Sequence, residues 1–127
     1  MSAVAARARA LVGTRFRLHG RGGDGLDCVG LVAAAAGVTA PTGYPLRGGD
    51  LARVAAMLDE RLGRVAEAAA AAGDVLLMET GPGQLHLGVW TGEGLVHADL
   101  GLGRVVERPG EVAWPVLGRW RVGLGRG

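Results

Sequence analysis

The apolar residues of this chain change their spacing near Asp74, and this change limits the possible folds more than any other feature. Before it, apolar residues recur at helical spacing, as in residues 51–62, which follow the capping residue Asp50. After it, short apolar runs alternate with turn signals such as Gly81-Pro82-Gly83 and Thr91-Gly92-Glu93-Gly94. Helices followed by hairpin-linked strands predict an α+β domain with an antiparallel sheet.

The individual elements follow from these periods and from the glycines and prolines between them. The predicted helices cover residues 2–12, 28–36 and 51–62, ending at Gly13, Gly37 and Gly63. The predicted strands cover residues 75–78, 85–91, 95–98, 104–107 and 117–122. We expect no regular structure in residues 14–26 and a loop in residues 38–49, while residues 65–72 fit either helix or loop.

Length and charge exclude several classes of protein. A chain of 127 residues predicts a single domain covering residues 1–127. The formal net charge is only +2, all fourteen basic residues are scattered arginines, and aromatic residues make up 4%, so we expect no nucleic-acid groove. No apolar run is long enough to span a bilayer, so we expect no membrane insertion. Arg7 and Arg9 interrupt the apolar N-terminal run, so we expect no signal peptide.

The sequence contains one cysteine, which lies where a helix is predicted to begin. Cys28 follows a glycine-rich approach and precedes an alanine-rich apolar run. Asp24 and Asp27 are both candidates to cap this helix. Unpaired N–H groups and the helix dipole favour an anion at such a position, which predicts a thiolate that alkylates faster than an ordinary thiol. The alternative is a small buried residue that packs the start of the helix.

Two histidines fall on the predicted hairpin that follows. Centring its turn on Gly92 and Glu93 makes His97 a diagonal neighbour of His86 on one face of the sheet. Cys28, His86 and His97 would then suit a triad of nucleophile, base and orienting group, with Asp99 as a second candidate for the orienting role. A Cys-His-His zinc site is the alternative, but no paired ligand motif supports it, so we expect neither metal nor cofactor.

Several motifs together resemble the NlpC/P60 cysteine peptidases. Residues 11–16 and the run Gly25-Leu26-Asp27-Cys28-Val29-Gly30-Leu31-Val32 resemble the nucleophile region of that family. Residues 73–76, 86–90 and 95–98 resemble its Gly-Asp strand, its His-x-Gly strand and the strand of its third catalytic residue, in the family's order. The short chain and the amino-acid sequence around Cys28 are most similar to the branch of the family that is encoded with phage or gene-transfer-agent tail genes.

The resemblance implies a papain-like α+β fold, with N-terminal helices packed on an antiparallel sheet, and hydrolysis of peptidoglycan stem peptides at D-γ-glutamyl bonds to diaminopimelate or lysine. It makes Cys28 the nucleophile, His86 the general base and His97 the orienting group, with the backbone of Asp27 near the oxyanion. The family commonly has a tyrosine where this chain has Phe16, whose ring cannot donate the corresponding hydrogen bond.

The resemblance also implies a partner and a place of action. A protein made in the cytoplasm without a signal peptide would reach the periplasm or cell wall of a target cell with a virion or tail particle, bound to tail-tip or hub proteins. Two alternatives remain: a weak or inactive structural component of the tail, and an amidase or acyltransferase on the same scaffold. Residues 114–127, with Trp114 and Trp120, would then form a docking surface for such a partner. The alternative, which we favour, is that both tryptophans complete the core of the last strand.

Overall fold

The computed structural model describes residues 2–22, 24–40, 50–66 and 70–122. Within these ranges, helices and strands alternate in the order α1 (Ala3–Ala10), β1 (Arg21–Gly22), β2 (Gly25–Leu26), α2 (Cys28–Ala36), α3 (Leu51–Asp59), β3 (Gly63–Arg64), β4 (Val75–Gly81), β5 (Gln84–Trp90), β6 (Gly94–Asp99), β7 (Arg104–Pro109) and β8 (Val116–Arg121). Strands β1 and β2 form a small ribbon, and the other six form one antiparallel sheet in the order β3-β8-β4-β5-β6-β7. The predicted α+β class is confirmed.

Helices α1 and α2 pack on one face of the sheet, and the main core lies between them. Alternate residues of the central strands point into this core, which contains Leu85, Leu87 and Val89 of β5 together with Leu31 of α2. The intervening positions face the opposite side of the sheet, where Leu76, Met78 and Leu95 form a second, smaller cluster. By the same alternation, His86 and His97 lie at positions that face this opposite side of the sheet.

Helix α2 begins and ends where the sequence predicts. The side chain of Asp27 accepts the N–H of Gly30 and so caps the first turn. Gly37 takes a left-handed conformation, with φ of 72°, and its N–H donates to the carbonyl of Ala33. These two local signals fix the position of Cys28 as the first residue of the helix.

Two local predictions are wrong. The third helix, expected to reach residue 62, ends at Asp59, because Gly63 and Arg64 instead form β3 and pair with β8. Residues 14–26, expected to be irregular, contain the β1–β2 ribbon, and Phe16 also bridges to Leu26. Such two-residue strands are too short to show the alternation that marks a strand in sequence.

The hairpin strands are confirmed, each within two residues of its predicted ends except β4, which runs on to Gly81. Residues 41–49 of the predicted loop, residues 67–69 of the ambiguous segment and the terminal residues 123–127 lie outside the described residues. Among the helices that the structure describes, none has the length and apolar character needed to cross a membrane.

Candidate active site

Cys28 and both hairpin histidines line one cleft. Cys28 contributes from the start of α2, His86 from β5 and His97 from β6. The wall of this cleft also includes the two other residues singled out from the sequence, Asp27 and Phe16. The structure therefore brings together all five predicted site residues.

The two histidines are hydrogen-bonded to each other. Nε2 of His86 lies 3.0 Å from Nδ1 of His97, and the two rings are perpendicular. The hairpin has the register expected from a turn at Gly92 and Glu93, since Val89 pairs with Val96 and Trp90 with Leu95. The predicted diagonal contact is confirmed.

An opening between β5 and β6 lets the thiol reach the sheet. The two strands pair only at the turn end of the hairpin, at Val89–Val96 and Trp90–Leu95. Further along β5, the backbone of Leu87 lowers the pKa of the Cys28 thiol. Helix α2 packs against β5, and Cys28 at its start lines the same cleft as His86.

The thiol of Cys28 is protonated at neutral pH. Burial raises its pKa from 9.0 to about 12, and the neighbouring charge of Asp27 acts in the same direction. Backbone hydrogen bonds from Leu87, Val29 and Cys28 itself lower the pKa by less than burial raises it. Burial therefore acts against the thiolate that the helix terminus favours, since Cys28 is only 3% exposed, and the reactivity of the thiol stays a prediction.

Both imidazoles are kept neutral. The pKa of His86 is lowered from 6.5 to about 4, mainly by burial and also by the neighbouring His97, while Asp99 opposes the shift. Burial also lowers the pKa of His97. The charge of Asp99 raises this pKa, and the charge of Arg108 lowers it. Asp99 lines the same cleft but acts on the rings through its charge, while His97 is the group hydrogen-bonded to His86.

Asp27 has a structural position in this site. Oδ1 of its buried carboxylate accepts hydrogen bonds from the backbone N–H of Gly30, at 2.8 Å, and from the guanidinium of Arg21, at 3.0 Å. Through Oδ2 it accepts the N–H of His19 at 2.8 Å. Asp27 therefore ties the preceding loop to the first turn of α2, whereas Asp24, the other candidate cap, forms an ion pair with Arg17.

Trp114 is the residue of the cleft that sequence reasoning missed. It was expected in the core of the last strand beside Trp120, and only Trp120 is there, buried and donating from Nε1 to Asp59 at 2.8 Å. Trp114 precedes β8 and meets the edges of His86 and His97, with ring centroids 5.8 Å and 5.3 Å away. No local pattern marks this contact, because tertiary packing brings the segment before β8 to β5 and β6.

Phe16 also lies in the wall of the cleft and is half-buried. Its backbone N–H donates to the carbonyl of Gly103, which holds the segment before the β1–β2 ribbon against the β6–β7 turn. Its ring has no polar atom, so this wall offers no hydroxyl donor at this position. Across the four described ranges, no group of three or more histidine, cysteine or acidic side chains is arranged to hold a metal ion.

Several solved structures are similar to this chain in architecture. NlpC1 from Trichomonas vaginalis matches 94% of this chain and 42% of its own, with a TM-score of 0.70 and 20% identity. The chain has the NlpC/P60 fold. A scan against models of protein families gives no match, and neither does a search of curated proteins.

Two mycobacterial neighbours with the NlpC/P60 fold differ in what is known of their chemistry. The peptidoglycan hydrolase RipB from Mycobacterium tuberculosis is 28% identical, with a TM-score of 0.60 over 94% of this chain and 63% of RipB. RipD from the same organism, described as a non-catalytic NlpC/p60 domain protein adapted to peptidoglycan binding, is 22% identical, with a TM-score of 0.58 over 94% of this chain and 95% of RipD. The chain thus spans less than two thirds of NlpC1 and of RipB.

Proposed function

We propose that this chain is a cysteine peptidase that hydrolyses peptide bonds in peptidoglycan stem peptides. The observation that carries the proposal is the 3.0 Å hydrogen bond between His86 and His97, in the same cleft as the only cysteine. A base and its orienting group need such a hydrogen bond, and a thiol nucleophile needs that base in the same cleft, so this observation supports the proposal. The NlpC/P60 fold, shared with the peptidoglycan hydrolase RipB, supports the substrate class.

Under this proposal, each ring nitrogen of the two histidines has its own role. His97 engages Nε2 of His86, which leaves Nδ1 of His86 as the nitrogen that can take the thiol proton. A base with its lone pair on Nδ1 carries its proton on Nε2 and donates it to Nδ1 of His97. His97 must then be neutral with its own proton on Nε2, so it orients His86 as an acceptor.

The chemical step starts from a neutral thiol and a neutral imidazole. As Sγ of Cys28 attacks the carbonyl carbon of the stem peptide, the thiol proton passes to Nδ1 of His86. The N–H groups of Cys28 and Val29, in the first turn of α2, would be the donors to the tetrahedral oxyanion. His86 then protonates the leaving amine, and water hydrolyses the thioester to regenerate the thiol and release the acid.

The bond and the route of delivery extend this proposal. The resemblance around Cys28 supports cleavage between D-γ-glutamate and diaminopimelate or lysine, and carriage by a phage-like tail to the cell wall of a target cell. An amidase or acyltransferase on the same scaffold would use the same three residues on a different bond. The loops of the cleft, rather than the three residues, would decide between these reactions.

The deciding experiment is digestion of purified peptidoglycan by the wild type and by Cys28→Ala, with released fragments identified by mass spectrometry. We expect wild-type fragments ending in D-γ-glutamate and a loss of at least about 1000-fold in their rate of release in the variant. Fragments cut at another bond would reassign the substrate. Equal release by both proteins would remove Cys28 from the mechanism.

A second candidate is a peptidoglycan-binding protein without catalysis. The deep burial of the thiol and the apolar ring of Phe16 favour it, because both weaken catalysis without closing the cleft. RipD shows that a protein of this fold can be non-catalytic. Under this candidate, wild type and Cys28→Ala would co-sediment equally with insoluble peptidoglycan, and neither would release fragments.

A further inference from the structure

Three aromatic rings meet at right angles in the cleft. The ring of Trp114 contacts His86 with an interplanar angle of 88° and His97 with an angle of 84°. The two imidazoles are themselves at 90° to each other. Edge-to-face contacts at these separations are favourable, and each fixes the plane of a ring relative to its neighbour.

Trp114 is itself held by the sheet and by a cation. It packs against the smaller cluster of Leu76, Met78 and Leu95 on the sheet face opposite α2. The guanidinium of Arg108, at the end of β7, lies 5.5 Å from the centroid of the indole ring. The indole is therefore held by the sheet and by the guanidinium, and its plane is nearly perpendicular to both imidazoles.

We propose that Trp114 is a positioning residue, which holds the rings of His86 and His97 in the orientation that their hydrogen bond requires and keeps water from them. This inference rests on the proposed peptidase function for its consequence in catalysis. Trp114 bears no group that can take or give a proton in the reaction, so its action is through the two histidines. A ring that loses its neighbours can rotate and break a contact of 3.0 Å.

The surrounding charges set the expected electrostatic effect. The charges that act on the histidines are those of Asp99 from β6 and Arg108 from β7. The other titratable groups that line the same cleft are Cys28, Asp27 and His19. Asp99 favours protonation of both rings, and burial is the main influence that opposes it. Removing the indole admits water on the side that it covers, so the pKa of each histidine should rise towards its ordinary value of 6.5.

The test compares Trp114→Ala and Trp114→Phe with Trp90→Ala. Trp90 belongs to the same apolar cluster and makes no ring contact with either histidine among the described residues, so its removal is the control for lost packing. The readout is the pKa of each histidine, measured by NMR titration of the free protein. We expect Trp114→Ala to raise the pKa of His86 by about one unit or more, Trp114→Phe to restore much of the change, and Trp90→Ala to leave it near the wild-type value.

The kinetic readout is the pH profile of kcat and KM on peptidoglycan fragments. Trp114→Ala should lower kcat about tenfold near pH 6, with a smaller change in KM, and move the acid limb to higher pH. Unchanged histidine pKa values in Trp114→Ala, or the same shift in Trp90→Ala, would overturn the inference. If Trp114→Ala does not fold, Trp114→Leu, which keeps apolar volume without a ring, takes its place.

The NMR readout separates this inference from the proposed function. If the wild type cleaves no peptidoglycan, the peptidase proposal fails, while the titration still decides whether Trp114 positions the two rings. If cleavage is found but the titration shows no effect of Trp114, the peptidase proposal stands and this inference fails.

Discussion

At the scale of single residues, Cys28 shows two opposing influences on a thiol. The start of a helix favours the thiolate, and burial favours the thiol; in this protein burial prevails and raises the pKa of Cys28 to about 12. We therefore expect iodoacetamide to alkylate the folded protein at pH 7 at least about tenfold more slowly than a cysteine-containing peptide, because the thiolate is the reactive form. The rate is measured by mass spectrometry of the intact chain.

The same chain in urea provides the matched control. Unfolding exposes the single cysteine, so alkylation at the same pH should reach the rate of the peptide after correction for the effect of urea on that peptide. Folded protein that reacted as fast as the peptide would show that the helix terminus dominates and that the resting site contains a thiolate. The neutral starting state of the proposed mechanism would then be wrong.

The individual site residues were predictable from sequence to different degrees. Counting outward from the turn placed His86 beside His97, because the register of a short hairpin follows from its turn. The thiol's protonation state was not predictable, since it depends on how completely α2 and β5 remove water from Cys28. The position of Trp114 was not predictable either, because the segment before β8 carries it to β5 and β6 by tertiary packing.

At the scale of elements, the close approach of the preceding loop to α2 positions Cys28. A Cβ at Gly30 would lie 2.1 Å from the carbonyl oxygen of Gly20, a backbone atom that cannot move aside alone. Alanine ordinarily stabilises a helix relative to glycine by about 1 kcal/mol. At this site we expect Gly30→Ala to lower the free energy of unfolding instead, by about 2 kcal/mol or more, as overpacking does, measured by urea denaturation.

The control for Gly30→Ala is Gly22→Ala in the same loop. A Cβ at Gly22 would meet only a carboxylate oxygen of Asp24, at 3.8 Å, which is ordinary contact. Its effect on stability should stay within about 0.5 kcal/mol. If Gly30→Ala were as stable as Gly22→Ala, the loop would not be locked against α2, and the position of Cys28 would depend on its capping bonds alone.

The elements themselves were predictable where local signals decide them. Helix α2 is confirmed at both ends because Asp27 and Gly37 cap it within the sequence. Helix α3 ends earlier than predicted because β8, more than fifty residues later, recruits Gly63 and Arg64 into the sheet. Helix caps and the spacing of apolar residues can be read from the local sequence. Whether a helix end gives way to pairing with a distant strand depends on the assembled sheet.

At the scale of the whole molecule, buried neutral histidines link stability to pH. The pKa of His86 is about 4 in the folded chain and 6.5 for an ordinary histidine, so between these values the folded chain binds fewer protons than the unfolded chain. The free energy of unfolding should therefore fall as the pH is lowered from 6.5 to 4, by about 2 to 3 kcal/mol for His86 alone. His97, whose pKa is also lowered, acts in the same direction.

The double variant His86→Gln, His97→Gln isolates this contribution. The pKa values of Asp59 and Glu107 are lowered from 3.8 and 4.5, mainly by hydrogen bonds from Trp120 and Arg9, so their stabilising effect is lost as the pH falls below those ordinary values. Urea denaturation at a series of pH values should then show a free energy of unfolding that is nearly constant between pH 6.5 and 5 in the variant. At lower pH, both proteins should lose the stability that the ionised carboxylates contribute. If wild type and variant lost stability in parallel above pH 5, water would reach both imidazoles in the folded chain. The cleft would then not provide the neutral base from which the proposed reaction starts.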